Sequence, residues 1–355
     1  MTFNKETVKI GFAYVGVVVG AGFSTGQEVM QFFTDYGLYA YIGVLIAGLI
    51  LGFIGRQVAK IGTAFDAENH ESTLSYLFGK QFGRIIDYIL VFFLFGISVT
   101  MIAGAGSAFH ESYGIPTWLG SLIMVIAIYI TLLMDFNKIV RALGVVTPFL
   151  IVLVIVIASV YLVKGQVPIS QINSVVPDAN PIQGIWRGTI YGGLAFAVGF
   201  STIVAIGGDA SRRKVSGAGA LFGGVVYTIL LALITFALQT EYPAIIDAAI
   251  PTLTLAHGIH PIVTILLSIV MLTVMYNTIL GLLYSFAARF TTPYTKKYHI
   301  LIVIMMLVAY GLSFVGFSSL INFLYPAMGY VGLLIVIAVL IKYFKRKKEN
   351  KEHIA

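Results

Sequence analysis

The sequence predicts an all-α integral membrane protein with ten transmembrane helices in one domain, residues 1–355. Three observations predict this class. Of the 355 residues 59% are apolar and 10% are charged, with a mean hydropathy of +0.95, whereas soluble domains have about 45–50% apolar and about 25% charged residues. The apolar runs are continuous and about 20 residues long, as in helical spans. The basic residues fall on alternate connections, as in a multi-pass protein.

Ten apolar segments, numbered 1 to 10, account for most of the chain. Their connections are too short to fold alone, so the whole chain is one bundle whose partner is the lipid bilayer. The segments span about 8–33, 38–61, 85–109, 117–134, 139–163, 184–207, 216–238, 261–288, 299–316 and 319–343.

Lysine and arginine predict the orientation of these segments. With both termini in the cytoplasm, 20 of the 22 basic residues lie in cytoplasmic connections or in the C-terminal tail, and only Lys164 and Arg187 lie outside. This asymmetry agrees with the positive-inside rule for ten spans. The cytoplasmic set is Lys5, Lys9, Arg56, Lys60, Lys80, Arg84, Lys138, Arg141, Arg212, Arg213, Lys214, Arg289, Lys296, Lys297, Lys342, Lys345, Arg346, Lys347, Lys348 and Lys351.

An internal repeat divides the chain into two halves, approximately 6–163 and 184–345. The string Gly-Phe-Ser-Thr occurs at Gly22–Thr25 in segment 1 and at Gly199–Thr202 in segment 6, and Tyr14 matches Tyr191 at the same offset. Five segments per half require the halves to insert with opposite topology. Inverted repeats of this kind build the central site of many secondary transporters.

The repeated strings predict that segments 1 and 6 are broken helices. Glycines at mid-membrane followed by polar residues do not suit a lipid-facing helix, and unwound backbone at that depth is stable only where it lines a cavity. The alternative is that these glycines form a packing seam between neighbouring helices.

The same residues resemble known transporter families. Gly16–Gly22 has the Gly-x-x-Val-Gly-x-Gly spacing of helix 1 in neurotransmitter:sodium symporters, and Val198–Ser201 is similar to the helix 6 break of those symporters. The string Gly20–Glu28 resembles the YkvI-type bacterial membrane proteins of the amino acid–polyamine–organocation superfamily. The resemblance implies the LeuT-type fold, with five-plus-five inverted repeats.

The resemblance also implies a site. Backbone N–H groups at Ala21 and Gly22 would bind a substrate carboxylate, and Phe200 would pack against the substrate side chain. The full implied substrate set is Gly20, Ala21, Gly22, Phe23, Ser24, Ala197, Gly199, Phe200 and Ser201.

A sodium site is implied beside the break of segment 1. Carbonyl groups of Gly16 and Val19 would face the ion, and Val274, Asn277 and Thr278 in segment 8 have the i, i+3, i+4 spacing of its other ligands. A shell of oxygen atoms suits a hard cation. Asn277 departs from the usual pair of hydroxyls, and the alternative is that Asn277 and Thr278 make hydrogen bonds between helices.

Glu28 is an acid inside the first span, about 9 Å beyond Gly22 if that half is helical. Because a carboxylate at membrane depth is costly unless it is paired, hydrated or protonated, it is a functional candidate. Three roles are open: coupling transport to protons, binding a substrate ammonium, or anchoring the outer end of segment 1.

Other classes of function find little support. The chain has no cysteine and no phosphate-binding loop, and no serine is accompanied by a histidine and an acid at the same predicted depth, so an enzyme is not expected. We expect surface positions for His110, Glu111, His257 and His260. The segment Tyr242–Ile259 resembles an outer lid, and Ser98, Met101 and Gly104 are candidates to line the substrate pocket.

The sequence therefore predicts a secondary active transporter in the bacterial cytoplasmic membrane, with no nucleic-acid partner. The expected cargo is a small zwitterion, an amino acid or related amine, carried by symport with Na⁺. The alternatives are proton-coupled transport through Glu28, or a membrane sensor or binding subunit that has kept the fold. Substrate identity and oligomeric state are not specified by the sequence.

Overall fold

The computed structural model of the chain describes residues 4–67, 70–133, 146–176 and 179–352, and these residues are helical or in short connections. Lys138 and Arg141, used above to predict orientation, lie outside the described residues. The α-helices are α1 (Lys5–Val18), α2 (Ala21–Thr25), α3 (Gln27–Phe32), α4 (Ala40–Leu49), α5 (Gly55–Phe65), α6 (Glu71–Phe78), α7 (Lys80–Tyr113), α8 (Thr117–Leu132), α9 (Val146–Lys164), α10 (Ile172–Val175), α11 (Pro181–Gly208), α12 (Arg213–Thr240), α13 (Tyr242–Ile245), α14 (Pro251–Ile259), α15 (Pro261–Phe290), α16 (Lys296–Ser313) and α17 (Phe317–Glu352).

Seven helices in the described part of the chain are long and apolar enough to cross a membrane, and a bent pair raises the number to eight. Segment 2 is one of the seven, because a 3₁₀ turn precedes α4 and a π turn joins α4 to α5, which gives one helix over Thr34–Phe65. The bent pair joins Pro148–Lys164 to Ile169–Val175 at 89°. The two remaining predicted segments are the 16-residue apolar helix α8 and the divided helix α1–α3.

The first predicted break is present. Asn4 caps α1 by accepting the N–H of Thr7 at 2.8 Å, and α1 ends at an inverse γ-turn, with Val19 at φ −74°, ψ 75°. The N–H of Gly20 bonds to the Val18 carbonyl at 2.9 Å instead of completing a helical bond to Gly16. A second interruption follows at Gly26, whose φ of +77° favours glycine. Segment 1 is therefore divided twice.

The second predicted break is absent. Segment 6 is α11, which continues without interruption through Gly199–Thr202. Its glycines serve close packing of helices: a Cβ at Gly188 would overlap the backbone of Gly43, and a Cβ at Gly207 would lie 3.0 Å from the Cα of Ala59. The prediction of a broken segment 6 was wrong because this glycine-rich sequence forms a packing seam, as small residues commonly do between membrane helices.

The broken helix lies in the centre of the bundle. Helix α1 packs along α12, while α11 packs along α4, α5 and α17. Helix α7 packs on α8 and α15, and forms the opposite wall. This arrangement surrounds the break in segment 1 with helices.

Candidate functional site

A cavity lies at the break of segment 1. Its volume is about 60 Å³, which is enough for a few waters, so the cavity is small. It is bounded by the broken helix, α7, α11, α15 and α17. The lining residues are Val17, Val18, Gly20, Gly22, Glu28, Ile97, Met101, Tyr191, Leu194, Ala195, Val198, Thr278 and Tyr325.

Glu28 supplies the carboxyl group of this cavity. Its side chain is buried, and the hydroxyl of Tyr191 donates to Glu28 Oε1 at 2.9 Å. Tyr191 also shares a hydrogen bond with the hydroxyl of Tyr227. Behind this pair, the Tyr14 hydroxyl donates to the Leu51 carbonyl at 3.3 Å. The carboxyl group is thus held on one side by buried phenols.

The other carboxyl oxygen, Glu28 Oε2, lies against Gly22. A Cβ added at Gly22 would overlap this oxygen and would lie 2.9 Å from the hydroxyl of Tyr325. Glu28 therefore folds back from α3 to the start of α2. Of the three roles left open for Glu28, anchoring the outer end of segment 1 is not favoured by this position in the central cavity.

Among the residues that the structure describes, no lysine, arginine or histidine forms an ion pair with Glu28. A buried carboxylate without a cation is costly at membrane depth. A bound cation or a proton would offset this cost. The cavity is consequently suited to a positively charged group or to proton uptake.

Backbone geometry between α2 and α3 places Glu28. Gly26 in the left-handed region redirects the chain between the two short helices. The hydroxyl of Thr25 donates to the Gly22 carbonyl at 2.8 Å, and that of Thr252 donates to the Ser24 carbonyl at 2.6 Å. Thr252 belongs to α14, inside the predicted lid Tyr242–Ile259. This connection therefore packs directly on the broken helix and braces it.

The residues of the predicted sodium site lie partly in the cavity lining and partly in the buried interior beside it. Thr278 lines the cavity, and Val274 is buried beside it on α15. Asn277 Oδ1 is buried and has no hydrogen-bond partner among the described residues. The γ-turn at Val19 separates the Gly16 carbonyl from its helical donor. Of the five residues predicted for the sodium site, Thr278 alone belongs to the cavity lining, and the sodium site stays a prediction.

The substrate residues predicted on segment 6 lie elsewhere than expected. Since α11 is continuous, its cavity face is set by helical periodicity and consists of Tyr191, Leu194, Ala195 and Val198. The cavity lining does not include the four predicted residues of segment 6 or Phe23 and Ser24 of segment 1, which are buried or half-buried nearby. They are Ala197, Gly199, Phe200, Ser201, Phe23 and Ser24.

Contacts of the displaced residues explain their positions. Phe200 contacts the rings of Phe196 and His70, at centroid distances of 5.8 Å and 6.1 Å. Phe23 contacts Tyr227 at 5.6 Å. A Cβ at Gly199 would contact Val18 Cγ2 at 3.3 Å, so Gly199 packs against α1. These residues build the walls behind the cavity.

On segment 3, Met101 lines the cavity as predicted. Ser98 donates to the Leu94 carbonyl of its own helix at 3.0 Å. Gly104 lies under Phe317, whose Cε2 atom would be 2.7 Å from a Cβ there. The cavity is lined by Ile97 and not, as expected, by the neighbouring Ser98.

Tyr191 and Tyr325 are site residues that the sequence prediction did not include. The repeat did indicate that Tyr191 is buried, because Tyr191 matches the buried Tyr14 at the offset of the two Gly-Phe-Ser-Thr strings. Tyr325 precedes Pro326 inside α17. Its approach to Gly22 depends on how segments 1 and 10 pack, which no local pattern reveals.

A second polar cluster was also missed, and it corrects the expectation that no serine has a histidine and an acid beside it. His70 Nδ1 is 2.8 Å from Ser201 Oγ, and His70 Nε2 is 2.7 Å from Asp87 Oδ1. Asp87 also forms an ion pair with Arg289. Ser201 lies within continuous helix, where neighbouring N–H groups bond to carbonyls one turn earlier, so no backbone donors are available to stabilise an oxyanion. The cluster is therefore not arranged as a hydrolytic site.

The four residues expected at the surface, His110, Glu111, His257 and His260, are exposed. The Glu111 carboxylate accepts the N–H of Ile250 at 3.2 Å, and His260 caps α15 by accepting the N–H of Ile262 at 3.2 Å. In the described part of the chain, no group of three or more histidine, aspartate or glutamate side chains is placed to hold a metal ion.

Comparison with known proteins identifies relatives along nearly the whole chain. The sequence is 28% identical over 342 residues to an uncharacterized membrane protein, YkvI, of Bacillus subtilis, covering 96% of this chain and 97% of YkvI. It is 23% identical over 336 residues to the uncharacterized protein YyaD of the same organism, covering 92% and 94% of the two chains. No protein-family model matches the sequence.

Two solved structures share this architecture along most of the chain. MhsT, solved in complex with L-phenylalanine, is 16% identical and superposes with a TM-score of 0.57 over 95% of this chain and 98% of MhsT. A mutant form of the Eremococcus coleocola manganese transporter is 14% identical, with a TM-score of 0.51 over 98% of this chain and 72% of that transporter. The chain has the LeuT-type fold. At these identities, the similarity establishes the fold.

Proposed function

We propose that this protein is a secondary active transporter of a small solute that carries a positively charged amine, an amino acid or related amine. The observation that carries the proposal is the buried carboxyl group of Glu28, which faces a cavity at the break of segment 1. A substrate ammonium would supply the positive charge that the described side chains do not. The phenols of Tyr191 and Tyr325 would add hydroxyl contacts and aromatic faces for a cation.

The position of Glu28 favours the amine as the group recognised at the break. Its carboxyl oxygen lies beside Gly22, where a substrate carboxylate was expected to bind backbone N–H groups. Two carboxylates at this distance would repel each other in a site of low dielectric constant. An amino acid would therefore bind with its ammonium toward Glu28 and its carboxylate directed away from Gly22.

We propose Na⁺ as the coupling ion, with protons as the alternative. The Gly16 carbonyl, the Thr278 hydroxyl and the unpartnered Asn277 Oδ1 support Na⁺, because hard cations prefer oxygen ligands. Glu28 supports proton coupling, since release of an amine from a dry cavity would leave a carboxylate that binds a proton. In either case we place the protein in the bacterial cytoplasmic membrane with both termini inside.

Thermal unfolding of the purified protein tests this proposal. Amines, amino acids and simple carboxylates are compared in Na⁺ and choline buffers, since a ligand at 100 times its Kd adds about 2.7 kcal/mol of stability. We expect amines and amino acids to raise Tm, and carboxylates without an amine to leave it unchanged. A shift that requires Na⁺ and is lost in Thr278→Ala supports sodium coupling, whereas a shift that depends on pH and not on Na⁺ supports protons.

Glu28→Gln is the decisive variant, because it keeps the shape of the side chain and removes its charge. We expect affinity for the amine to fall by roughly 30-fold or more, as when one member of a buried charge pair is removed. Glu241→Gln is the matched control, a buried acid that accepts the N–H of Gln166 at 3.1 Å outside the cavity. Equal affinity in wild type and Glu28→Gln would refute the proposed role of Glu28.

A further inference from the structure

The cluster around His70 connects helices on two sides of the cavity. Ser201 is on α11, Asp87 is on α7, and Arg289 is in the last turn of α15. His70 lies just before α6, in the connection between segments 2 and 3, and hydrogen-bonds to both Ser201 and Asp87. The Asp87 side chain is 4% exposed and the His70 side chain is 19% exposed, so the bridge is largely shielded from competing water.

This bridge lies on one side of the cavity. Ser201 follows the lining residue Val198 by three residues, about 4.5 Å along the axis of α11. Arg289 and Glu71 mark the same end of the molecule, with Arg289 Nη1 3.8 Å from Glu71 Oε2. Arg289 is among the basic residues that predict the cytoplasmic face, here called the basic face. The His70 bridge thus lies between the cavity and the basic face.

An opening on this side requires α11 to separate from α7 and α15. Ile97, Met101 and Thr278 line the cavity from α7 and α15, opposite the face of α11 that carries Val198. Alternating access in folds of this type moves one group of helices against another. We propose that His70 is a latch that closes the cavity toward the basic face by hydrogen-bonding α11, through Ser201, to α7, through Asp87.

The ion pair with Arg289 holds the Asp87 carboxylate in position for His70. The guanidinium pairs with Asp87 Oδ2, leaving Oδ1 for His70. A carboxylate can only accept, so His70 Nε2 carries the proton and Nδ1 accepts from the Ser201 hydroxyl.

The absence of cysteine from the sequence permits a direct test by labelling. Val198→Cys places a single thiol in the cavity wall, and a membrane-impermeant maleimide is added at the basic face of oriented vesicles. We expect Ser201→Ala and His70→Ala to speed labelling about three- to tenfold, since one or two hydrogen bonds that hold the closed form are lost. The measurement requires no substrate, so its outcome is separate from that of the proposed function.

Matched control variants distinguish the loss of the latch from a general destabilisation of the fold. Ser201→Thr retains the hydroxyl and is expected to keep the slow rate, and so is His299→Ala, which removes a half-buried histidine on α16, outside the cluster. Labelling added at the opposite face should not become faster. Unchanged labelling at the basic face in both Ser201→Ala and His70→Ala would overturn the proposal. An equal increase in His299→Ala would overturn it as well.

Discussion

At the scale of single residues, the cavity depends on a glycine and a glutamate that occupy adjoining space. Gly22 has no side chain, so Glu28 can fold back over α2 and reach the phenols of Tyr191 and Tyr325. The sequence identified Gly22 through the repeated Gly-Phe-Ser-Thr string, and Glu28 because a carboxylate is unusual inside an apolar span. It could not pair them, because their contact requires the turn at Gly26 and the packing of α17.

Gly22→Ala tests this pairing. The added methyl group would overlap Glu28 Oε2 and crowd the Tyr325 hydroxyl at 2.9 Å, so the carboxyl group must shift away from its position beside Gly22. We expect affinity for the amine to fall at least tenfold in a binding titration, because buried sites do not accommodate an extra methyl group without displacement.

Gly281→Ala is the control for this substitution. Gly281 lies on α15, and a Cβ there would have nothing within 4 Å among the described atoms. Affinity should be unchanged in that variant. If Gly22→Ala bound the amine as wild type does, Glu28 could not occupy the position assigned to it.

At the scale of helices, two copies of one string have different structures. Gly-Phe-Ser-Thr is followed by Gly26 in segment 1 and by Ile203 in segment 6. Gly26 adopts positive φ and ends α2, whereas Ile203 continues α11. The break at Gly20 was predictable from local sequence, but the continuity of α11 depends on the neighbours against which its glycines pack.

Two glycines of α11 therefore differ in their tolerance of alanine. Gly199→Ala would place a methyl group 3.3 Å from Val18 Cγ2 and 3.4 Å from Tyr14 Cε2, and alanine favours helix over glycine by about 1 kcal/mol. Gly193→Ala would overlap the Gly329 carbonyl and lie 3.0 Å from the Leu333 nitrogen. We expect Gly199→Ala to leave Tm unchanged. We expect Gly193→Ala to lower the free energy of unfolding by about 1–3 kcal/mol.

Thermal unfolding and ligand binding of the two variants check this expectation. A continuous α11 requires Gly199→Ala to be folded and to bind the amine. Loss of binding in Gly199→Ala with an unchanged Tm would instead indicate that segment 6 unwinds in the functional state.

At the scale of the whole molecule, the cavity and the His70 latch lie along one path. Composition and the distribution of basic residues were sufficient to predict an all-α membrane protein, because both are averages over many residues. The His70 cluster was not predictable, since Ser201 is distant in sequence from His70 and Asp87 and joins them only when segments 3 and 6 pack. Long-range polar contacts of this kind require the folded structure.

Transport by the pure protein in lipid vesicles tests the proposed function most directly. Vesicles loaded with an unlabelled amine found in the thermal screen are diluted into labelled amine, with Na⁺, a proton gradient or neither imposed. We predict saturable counterflow of the label by wild type and little or none by Glu28→Gln, with Glu241→Gln as active as wild type. Amine binding without counterflow by wild type would contradict transport and favour a sensor. Full counterflow by Glu28→Gln would contradict the central role of Glu28.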